Sequence, residues 1–292
     1  MAAWEKRMAK SGIMWRQQLG SWTFTLVQYG VLILFLLASI IPFFWVWSTS
    51  LKTTREVAIN PLGPPVAFHW ENFARAWVQG RFGKYLGNSV NVSIPIVMCG
   101  ISLSCLAGYG LARIQFPGNK AIFYTFLLGM MIPFQSIMIP LYYILRDIGF
   151  IGTYWAMIVP SIALGLPFGI FFMRAFFQDL PQELEDAARI DGCNAFAVFW
   201  RVMLPLATPA ISALAVFQFM GAWNSFLLPL IYMQKEELRP VVLGLMFFRS
   251  EFTQDYPLTM AGATIVMLPI MIIYVFLQRK FIEGLTAGAL KG

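Results

Sequence analysis

Six long stretches without a charged residue constrain this sequence more than any other feature. They run from 17 to 51, 85 to 112, 121 to 145, 148 to 173, 202 to 234 and 256 to 278. A helix of about 20 apolar residues crosses the hydrocarbon core of a bilayer, so each stretch can hold one membrane span. Only 12% of the residues are charged, against about 25% in soluble domains. We therefore expect an all-α polytopic membrane protein, and not a soluble enzyme, a disordered chain or a disulfide-rich miniprotein.

The distribution of basic residues predicts the orientation of these spans. The predicted cores of the six transmembrane helices are Val27–Trp47, Val90–Leu111, Ile122–Tyr143, Ala156–Phe177, Ala210–Met233 and Leu258–Leu277. Lys and Arg are more numerous in the segments that lie inside when the N-terminus is inside, which predicts an N-in/C-in topology. The net charge of +7 then mostly records orientation, and we expect the partner surface to be the lipid bilayer and not a nucleic acid.

The rarity of ionisable residues in the span cores narrows the class of transporter. Arg174, near the end of the fourth core, is the one exception, whereas proton relays and voltage sensors depend on such residues. A sodium-coupled carrier that binds its ion through backbone carbonyls stays open. The sequence also has no G-x-x-x-x-G-K-[ST] phosphate loop. We therefore predict no enzyme activity, no catalytic residue, no metal site and no cofactor of its own.

The connection between the fourth and fifth spans, residues 178–205, is the most charged connection in the chain. Pro181 suits the first position of a helix, acidic residues follow in the first turns, and Gly192 is the expected stop. One face of this helix is small and shallow, and consists of Leu184, Ala187, Ala188 and Asp191. Such a short helix buries little by itself, which favours docking into a groove on another protein. A simple amphipathic hairpin that braces two spans is the alternative.

A second short helix is expected directly after Gly192. Asn194 is positioned to cap it. Its apolar residues recur at helical spacing, namely Phe196, Phe199, Trp200 and Met203. This stripe is predicted to lie against the membrane interface.

The same segment carries a recognisable motif. Asp186-Ala187-Ala188, then Gly192, then Val202-x-Leu204-Pro205 resembles the EAA motif of the membrane subunits of bacterial ABC importers. That motif reads E-A-A, three residues, G, nine residues, I-x-L-P, and the spacing agrees throughout. Asp186 replaces the usual Glu, with Glu185 adjacent to it, and Val202 replaces Ile.

Further segments are similar to one branch of these subunits, the carbohydrate permeases of maltose-transporter type. They are Ala107–Arg113 with Phe116–Gly118, Ile139–Tyr142, Pro181–Leu184, Trp223-Asn224 and Gly284–Gly292. The last of these resembles the tail of the smaller, G-type subunit. The resemblance covers roughly residues 25–292.

The resemblance implies a permease subunit that forms half of the translocation path of an ATP-driven importer for a sugar or oligosaccharide. The location would be the bacterial cytoplasmic (inner) membrane. The implied partners are a homologous second permease subunit, two cytoplasmic ATPase subunits that bind ATP and Mg, and an extracytoplasmic solute-binding protein. Coupling to the ATPase is assigned to Glu185, Asp186, Ala187, Ala188, Asp191, Gly192, Leu204 and Pro205. A second ATPase contact is assigned to the tail residues Gly284, Leu285, Thr286, Ala287 and Gly288.

A sugar path needs aromatic faces and hydrogen-bonding side chains. The residues that could supply them are Gln135, Gln218, Trp223 and Asn224, with interhelical packing as the alternative for the aromatic residue. The predicted organisation is a single permease domain, 1–292, with an N-terminal span at about 27–47, core spans at about 90–277, the 178–205 segment and a tail at 279–292. Two other functions stay open: an ion-coupled secondary carrier, and a structural subunit that docks an ATPase but lines no path.

Overall fold

The computed structural model describes residues 2–248 and 255–287, with side chains described from 24 to 248, from 255 to 276 and at 278. Every regular element in these ranges is helical. The α-helices are α1 (Ala2–Ser50), α2 (Thr54–Ile59), α3 (Glu71–Gln79), α4 (Phe82–Arg113), α5 (Asn119–Met130), α6 (Phe134–Asp147), α7 (Trp155–Asp179), α8 (Glu183–Ile190), α9 (Ala195–Val198), α10 (Leu204–Leu206), α11 (Thr208–Trp223), α12 (Leu227–Tyr232), α13 (Val241–Gly244) and α14 (Tyr256–Ala287).

The described helices include four that are long and apolar enough to cross a membrane. These are Phe24–Ser50 within α1, α4, α7, and Tyr256–Phe276 within α14. Two bent helix pairs, α5 with α6 and Ala195–Leu206 with α11, raise the number to six if each pair is one span. The prediction of an all-helical polytopic membrane protein is therefore confirmed, and the structure gives between four and six spans.

The third uncharged stretch does not form one straight helix. α5 and α6 meet at an angle of 99°, so the prediction of a continuous span over Ile122–Tyr143 is wrong. Pro133 explains the break: it has no N–H to donate, and its extended backbone (ψ of 135°) ends the preceding helix. The bend turns α6 away from the axis of α5.

The fifth predicted core, Ala210–Met233, is also divided. α11 ends at Trp223, and α12 begins only at Leu227 after an irregular connection. α12 is held against α6 because the Tyr232 hydroxyl donates a hydrogen bond of 2.8 Å to the Met138 carbonyl. The prediction of one continuous helix is therefore wrong here as well.

α4 and α7 form the centre of the described fold. A Cβ atom at Gly108 of α4 would lie 2.8 Å from Met173 Cβ and 3.0 Å from the Arg174 backbone nitrogen of α7. Only glycine permits this close approach, because real Cβ contacts are longer. At the end of the pair, Tyr109 and Phe177 stack edge to face with ring centroids 5.6 Å apart. This packing fixes the end of α4 next to the 178–205 segment.

α1 lies at the edge of this centre. None of the apolar window of Phe24–Ser50 is buried in the chain. Its last turn is nevertheless anchored, since Asn72 of α3 donates hydrogen bonds of 2.9 Å to the carbonyls of Ser50 and Lys52. The predicted N-terminal span thus attaches by its end and exposes its length.

Candidate functional site

The 178–205 segment folds as two short helices joined by a turn. α8 begins at Glu183, two residues later than Pro181, where the sequence predicted its start. Glu183, Glu185 and Asp186 occupy its first turn, where the unpaired backbone N–H groups favour negative charge. The acidic start of the helix therefore agrees with the sequence pattern. The first helical residue differs from the prediction because Pro181 and Gln182 still belong to the connection from α7.

Gly192 ends α8 as predicted, through a Schellman motif. Its φ is 85°, in the left-handed region that favours glycine. The Gly192 N–H donates to the Arg189 carbonyl, and the Cys193 N–H donates to the Ala188 carbonyl, each at 3.0 Å. This pair of bonds satisfies carbonyls at the helix end and redirects the chain.

Asn194 caps the next helix, also as predicted: its side chain accepts a hydrogen bond of 2.8 Å from the Ala197 N–H. The predicted membrane-facing stripe is divided. Phe199 and Met203 are buried, whereas Phe196 and Trp200 are exposed. Residues Phe199–Met203 form a turn of π-helix, whose wider turn shifts side chains off the α-helical face. The prediction that all four residues face the membrane interface is therefore wrong.

Glu185 is the most buried charged side chain of this segment, at 1% exposure. Its Oε1 lies 3.2 Å from Nε of Arg113, the last residue of α4, whose side chain is 8% exposed. Its Oε2 lies 3.6 Å from Arg189 Nη2 on the same helix. Removing one partner of a buried ion pair typically costs about 3–5 kcal/mol. Glu185 is therefore held inside the chain, and the predicted contact with a partner protein is not available to it in this conformation.

The outward face of α8 carries the other predicted coupling residues. Asp186, Ala187 and Asp191 are exposed, and Ala188 packs inward beside Glu185. Leu204, at the start of α10, is half-buried and Pro205 is exposed. Asp186 is thus an exposed acid, as Asp191 is, whereas Glu185 is not.

The predicted tail contact falls partly outside the described residues. Gly284, Leu285, Thr286 and Ala287 are the last residues of α14, and their side chains are not among those described. Gly288 lies outside the described residues. The tail therefore stays a prediction.

A cavity of about 430 Å³ lies between α4, α6, α7 and α11. Its size is within the range of small-molecule sites, about 300–1,000 Å³. Two of the four predicted path residues, Gln135 and Gln218, line it. Its aromatic lining consists of Phe134, Phe168, Phe217 and Phe226, and its further hydroxyls belong to Ser161 and Ser225. The cavity thus combines aromatic faces with uncharged hydrogen-bonding groups.

Gln218 lies where three helices meet at the wall of this cavity. A Cβ atom at Gly100 of α4 would lie 2.4 Å from Gln218 Oε1, and one at Gly169 of α7 would lie 3.3 Å from Gln218 Nε2. Both amide atoms are buried without a hydrogen-bond partner among the described residues. Such a group typically costs about 1–3 kcal/mol. The Gln218 amide is therefore an unpaired polar group packed between α4 and α7 at the wall of the cavity.

The other two predicted path residues do not line the cavity. Trp223 is buried, stacks on Phe219 and donates a hydrogen bond of 3.1 Å to the Val266 carbonyl of α14. Asn224 is exposed beyond the end of α11. The packing alternative is therefore the one that the structure supports for Trp223.

Sequence reasoning missed two sets of residues. Arg113 was noticed only as part of a resembling segment, and its pairing with Glu185 joins elements separated by three intervening helices. Ser161, Phe168 and Phe217 of the cavity sit in uniformly apolar helices, where hydropathy does not show which face points to a cavity. Only the tilt and contact of the helices reveal these sites.

A protein-family comparison matches most of the chain. The model of the family described as "Binding-protein-dependent transport system inner membrane component" matches residues 100–286. This range contains α5 to α12, the 178–205 segment and every residue assigned to the path.

Curated proteins similar to the chain carry transport names. The "Probable ABC transporter permease protein YurM" of Bacillus subtilis is 35% identical over 89% of this chain and 87% of its own length. The "Diacetylchitobiose uptake system permease protein NgcG" of Streptomyces coelicolor is 33% identical over 92% of this chain and 89% of its own. The "Arabinooligosaccharides transport system permease protein AraQ" of Halalkalibacterium halodurans is 37% identical over 78% and 81%.

A solved structure shares the fold. The crystal structure of a bacterial ABC transporter involved in the import of the acidic polysaccharide alginate contains a chain similar to this one with a TM-score of 0.74. The match covers 88% of this chain and 96% of that chain at 23% identity.

Proposed function

This chain belongs to the binding-protein-dependent transport system inner membrane component family, and from that membership we propose that it is a membrane subunit of an ATP-driven importer for a neutral sugar or oligosaccharide. The observation that carries the proposal is α8, a short helix with an exposed acidic face that is braced from behind by a buried ion pair. A helix of this kind is suited to contact a second protein. The family match confirms the resemblance to the membrane subunits of importers at the level of the family.

The nature of the cargo is supported from two sides. Two of the relatives are named for the uptake of diacetylchitobiose and of arabinooligosaccharides. The cavity offers four aromatic rings with amide and hydroxyl groups, and no charged side chain is among the described residues that line it. Aromatic faces and uncharged hydrogen-bonding groups suit a sugar ring and its hydroxyls. We therefore assign Gln135 and Gln218 to the path.

The energy for transport enters through partner subunits. The chain lacks the phosphate-loop pattern for nucleotide binding, so we assign ATP and Mg binding to two cytoplasmic ATPase subunits. The complete importer also contains a homologous second permease subunit and an extracytoplasmic solute-binding protein. Closing of the ATPase pair shifts the permease between two global arrangements, because the ATPase contacts differ between them.

We assign the ATPase contact to the exposed face of α8, with Asp186 as its central acid. Asp186 lies on the outer face of the helix, while Glu185, one residue earlier, points to Arg113. A basic residue in the groove of the ATPase would pair with Asp186. The assignment of Ala187 and Asp191 to the same contact follows from their exposure on that face.

The experiment is reconstitution of the chain in proteoliposomes with its second permease, ATPase and solute-binding protein. Uptake of diacetylchitobiose, arabinobiose and maltotriose is measured with and without ATP. We expect ATP-driven uptake of at least one of these neutral sugars, and no ATP hydrolysis by the purified chain alone. The substitution Asp186→Lys should weaken binding of the ATPase and reduce uptake, because it reverses the charge at the contact.

Asp147→Lys is the matched control, because Asp147 is an exposed acid at the end of α6, outside the 178–205 segment. It should reduce uptake less than Asp186→Lys. Equal uptake by the two variants would contradict the assignment of Asp186. Uptake by the isolated chain under a sodium gradient would instead support a secondary carrier, and uptake that is unaffected by substitutions in the cavity would support a subunit that lines no path.

A further inference from the structure

The end of α4 meets the 178–205 segment through the ring contact of Tyr109 with Phe199 and through the polar side chain of Arg113. We propose that Arg113 is a latch that joins α8 to α4, so that movement of α8 displaces α4 and with it the wall of the cavity. The proposal rests on the proposed function, in which an ATPase moves α8. Arg113 is in this sense a positioning residue, which acts through the two helices that it joins.

Three groups that follow α7 in the chain contact the Arg113 guanidinium. Nε lies 3.2 Å from Glu185 Oε1, Nη1 donates a hydrogen bond of 2.9 Å to Gln182 Oε1, and Nη2 donates to the Leu180 carbonyl. A planar guanidinium can hold three groups in fixed directions, which a lysine ammonium cannot do. The contacts cover both the start of α8 and the connection that leads to it.

Burial makes the contact with Glu185 different from a surface ion pair. Both side chains are less than one tenth exposed, so water and salt screen their attraction little. α8 has only eight residues, and a helix of that length does not hold its conformation or position by itself. Its inward face consists of Glu185 and Ala188. The position of α8 therefore depends on this ion pair together with the packing of Ala188 in the core that also contains Tyr109.

Without the latch, the connection from α7 to α8 would change its backbone conformation when α8 is displaced, and the displacement would not reach α4. Leu180 has an extended backbone (ψ of 141°) and is followed by Pro181, so these residues continue neither α7 nor α8. The Arg113 contacts with Leu180, Gln182 and Glu185 hold the connection as one unit with the end of α4. A displacement of α8 is then passed to α4.

α4 leads directly from the latch to the cavity. Gly100, which lines the cavity and lies directly against Gln218, precedes Arg113 by about 20 Å along the helix at 1.5 Å per residue. Between them, Gly108 makes backbone-close contact with α7, which keeps the two helices in register. Movement at the end of α4 therefore reaches the region where Gln218 is enclosed.

Arg189 supplies a matched control. It also faces Glu185, at 3.6 Å, but its side chain is half exposed and it belongs to α8 itself. Replacing it leaves the link between α8 and α4 in place. Replacing Arg113 instead leaves Glu185 still paired with Arg189, so the carboxylate keeps one cation.

The first test measures the link itself with spin labels. Cysteines replace the exposed residues Ile114 and Ile190 in a chain whose three native cysteines have been replaced, and the complete importer is assembled in nanodiscs. The label distance should be narrowly distributed and should keep its mean when ATP is added. Arg113→Gln should broaden the distribution, whereas Arg189→Gln should leave it narrow. An unchanged distribution in Arg113→Gln would overturn the latch.

A milder variant covers the case in which Arg113→Gln complexes do not assemble. Gln182→Ala removes one of the three contacts at an exposed position, so it should assemble and broaden the label distance partially. No broadening in Gln182→Ala, when Arg113→Gln fails to assemble, would mean that Arg113 serves folding only and would overturn the proposal.

The second test measures coupling in proteoliposomes with the neutral sugar that the unsubstituted complex takes up best. Arg113→Gln should lower sugar uptake per ATP hydrolysed by about tenfold, within the usual range of coupling between sites. Arg113→Lys should be intermediate and Arg189→Gln close to the unsubstituted complex. A normal ratio in Arg113→Gln would contradict the proposal. Absence of ATP-driven uptake in the unsubstituted complex would contradict the proposed function instead, and the label distances would still decide the latch.

Discussion

Gly192 carries the turn from α8 to α9 by its backbone conformation alone. A Cβ atom built on it would have no heavy atom within 4 Å, so steric contact does not restrict the residue at this position. Its φ of 85° restricts the residue instead, because a side chain in the left-handed region costs about 1–2 kcal/mol. This cost is smallest for Asn. Gly192→Val should therefore lower sugar uptake per ATP hydrolysed in the reconstituted complex, and Gly192→Asn should retain most of it.

Gly118 allows this effect to be separated from strain in general. It has a nearly identical φ of 86° and equally open surroundings, but it lies between α4 and α5. Gly118→Val should strain the backbone to a similar degree without changing the direction of α8. If Gly118→Val and Gly192→Val lowered the ratio of uptake to hydrolysis equally, a specific role of the α8 turn in coupling would be refuted.

The packing of α4 on α7 is the contact between elements on which both sites depend. A methyl group at Gly108 would collide with backbone and Cβ atoms of α7, whereas Gly110, one half-turn further along α4, has open space around it. Gly108→Ala should therefore destabilise the chain by about 1–3 kcal/mol, as overpacking usually does. Gly110→Ala should stabilise it slightly, because alanine is favoured over glycine inside a helix by about 0.5–1 kcal/mol. Thermal denaturation of the two variants in detergent measures this, and equal midpoints would show that α4 and α7 separate at little cost.

The structural features that the sequence predicted well are those determined by residues close together in the chain. The Gly192 stop and the Asn194 cap each depend on a few neighbouring residues, and such signals are readable from the chain. Hydropathy likewise identified the apolar stretches, but it does not show where the helix axis bends within a stretch. It therefore missed the 99° bend between α5 and α6, although Pro133 stands at the break.

The parts that sequence could not give depend on contacts between distant elements. The Arg113–Glu185 pair forms only because the fold brings the end of α4 next to α8. Trp223 and Gln218 lie on the same apolar helix, and their residue types suggested one role for both. Which of them faces the cavity is decided by the rotation of α11, which places Gln218 in the cavity and Trp223 against α14.

At the scale of the whole molecule, much of the apolar surface of the described chain is exposed. The window of α1 is unburied, and large apolar side chains of α4, α6 and α14 face outward. Contiguous apolar surface of this extent is covered by lipid or by another subunit. In the proposed importer this chain forms one wall of the path, so the behaviour of that wall is measured in the assembled complex.

The cavity predicts which amide side chain affects sugar uptake by the assembled importer. Gln218 lines it, and the buried Gln218 amide lacks a partner among the described residues, whereas Asn224, a similar amide six residues later, is exposed outside the cavity. A hydrogen bond to a sugar hydroxyl is worth about 0.5–1.5 kcal/mol net, or roughly two- to twelvefold in affinity. Gln218→Ala should therefore raise KM for ATP-driven sugar uptake by such a factor, while Asn224→Ala leaves it unchanged.

Assembly and ATP hydrolysis in the absence of sugar serve as the control, because a substitution that only disturbs folding would lower both. Gln135→Ala, on the α6 side of the cavity, should raise KM as Gln218→Ala does. An unchanged KM in both glutamine variants would remove this cavity from the path. A raised KM in Asn224→Ala alone would place the path at the end of α11, where sequence reasoning had also put it.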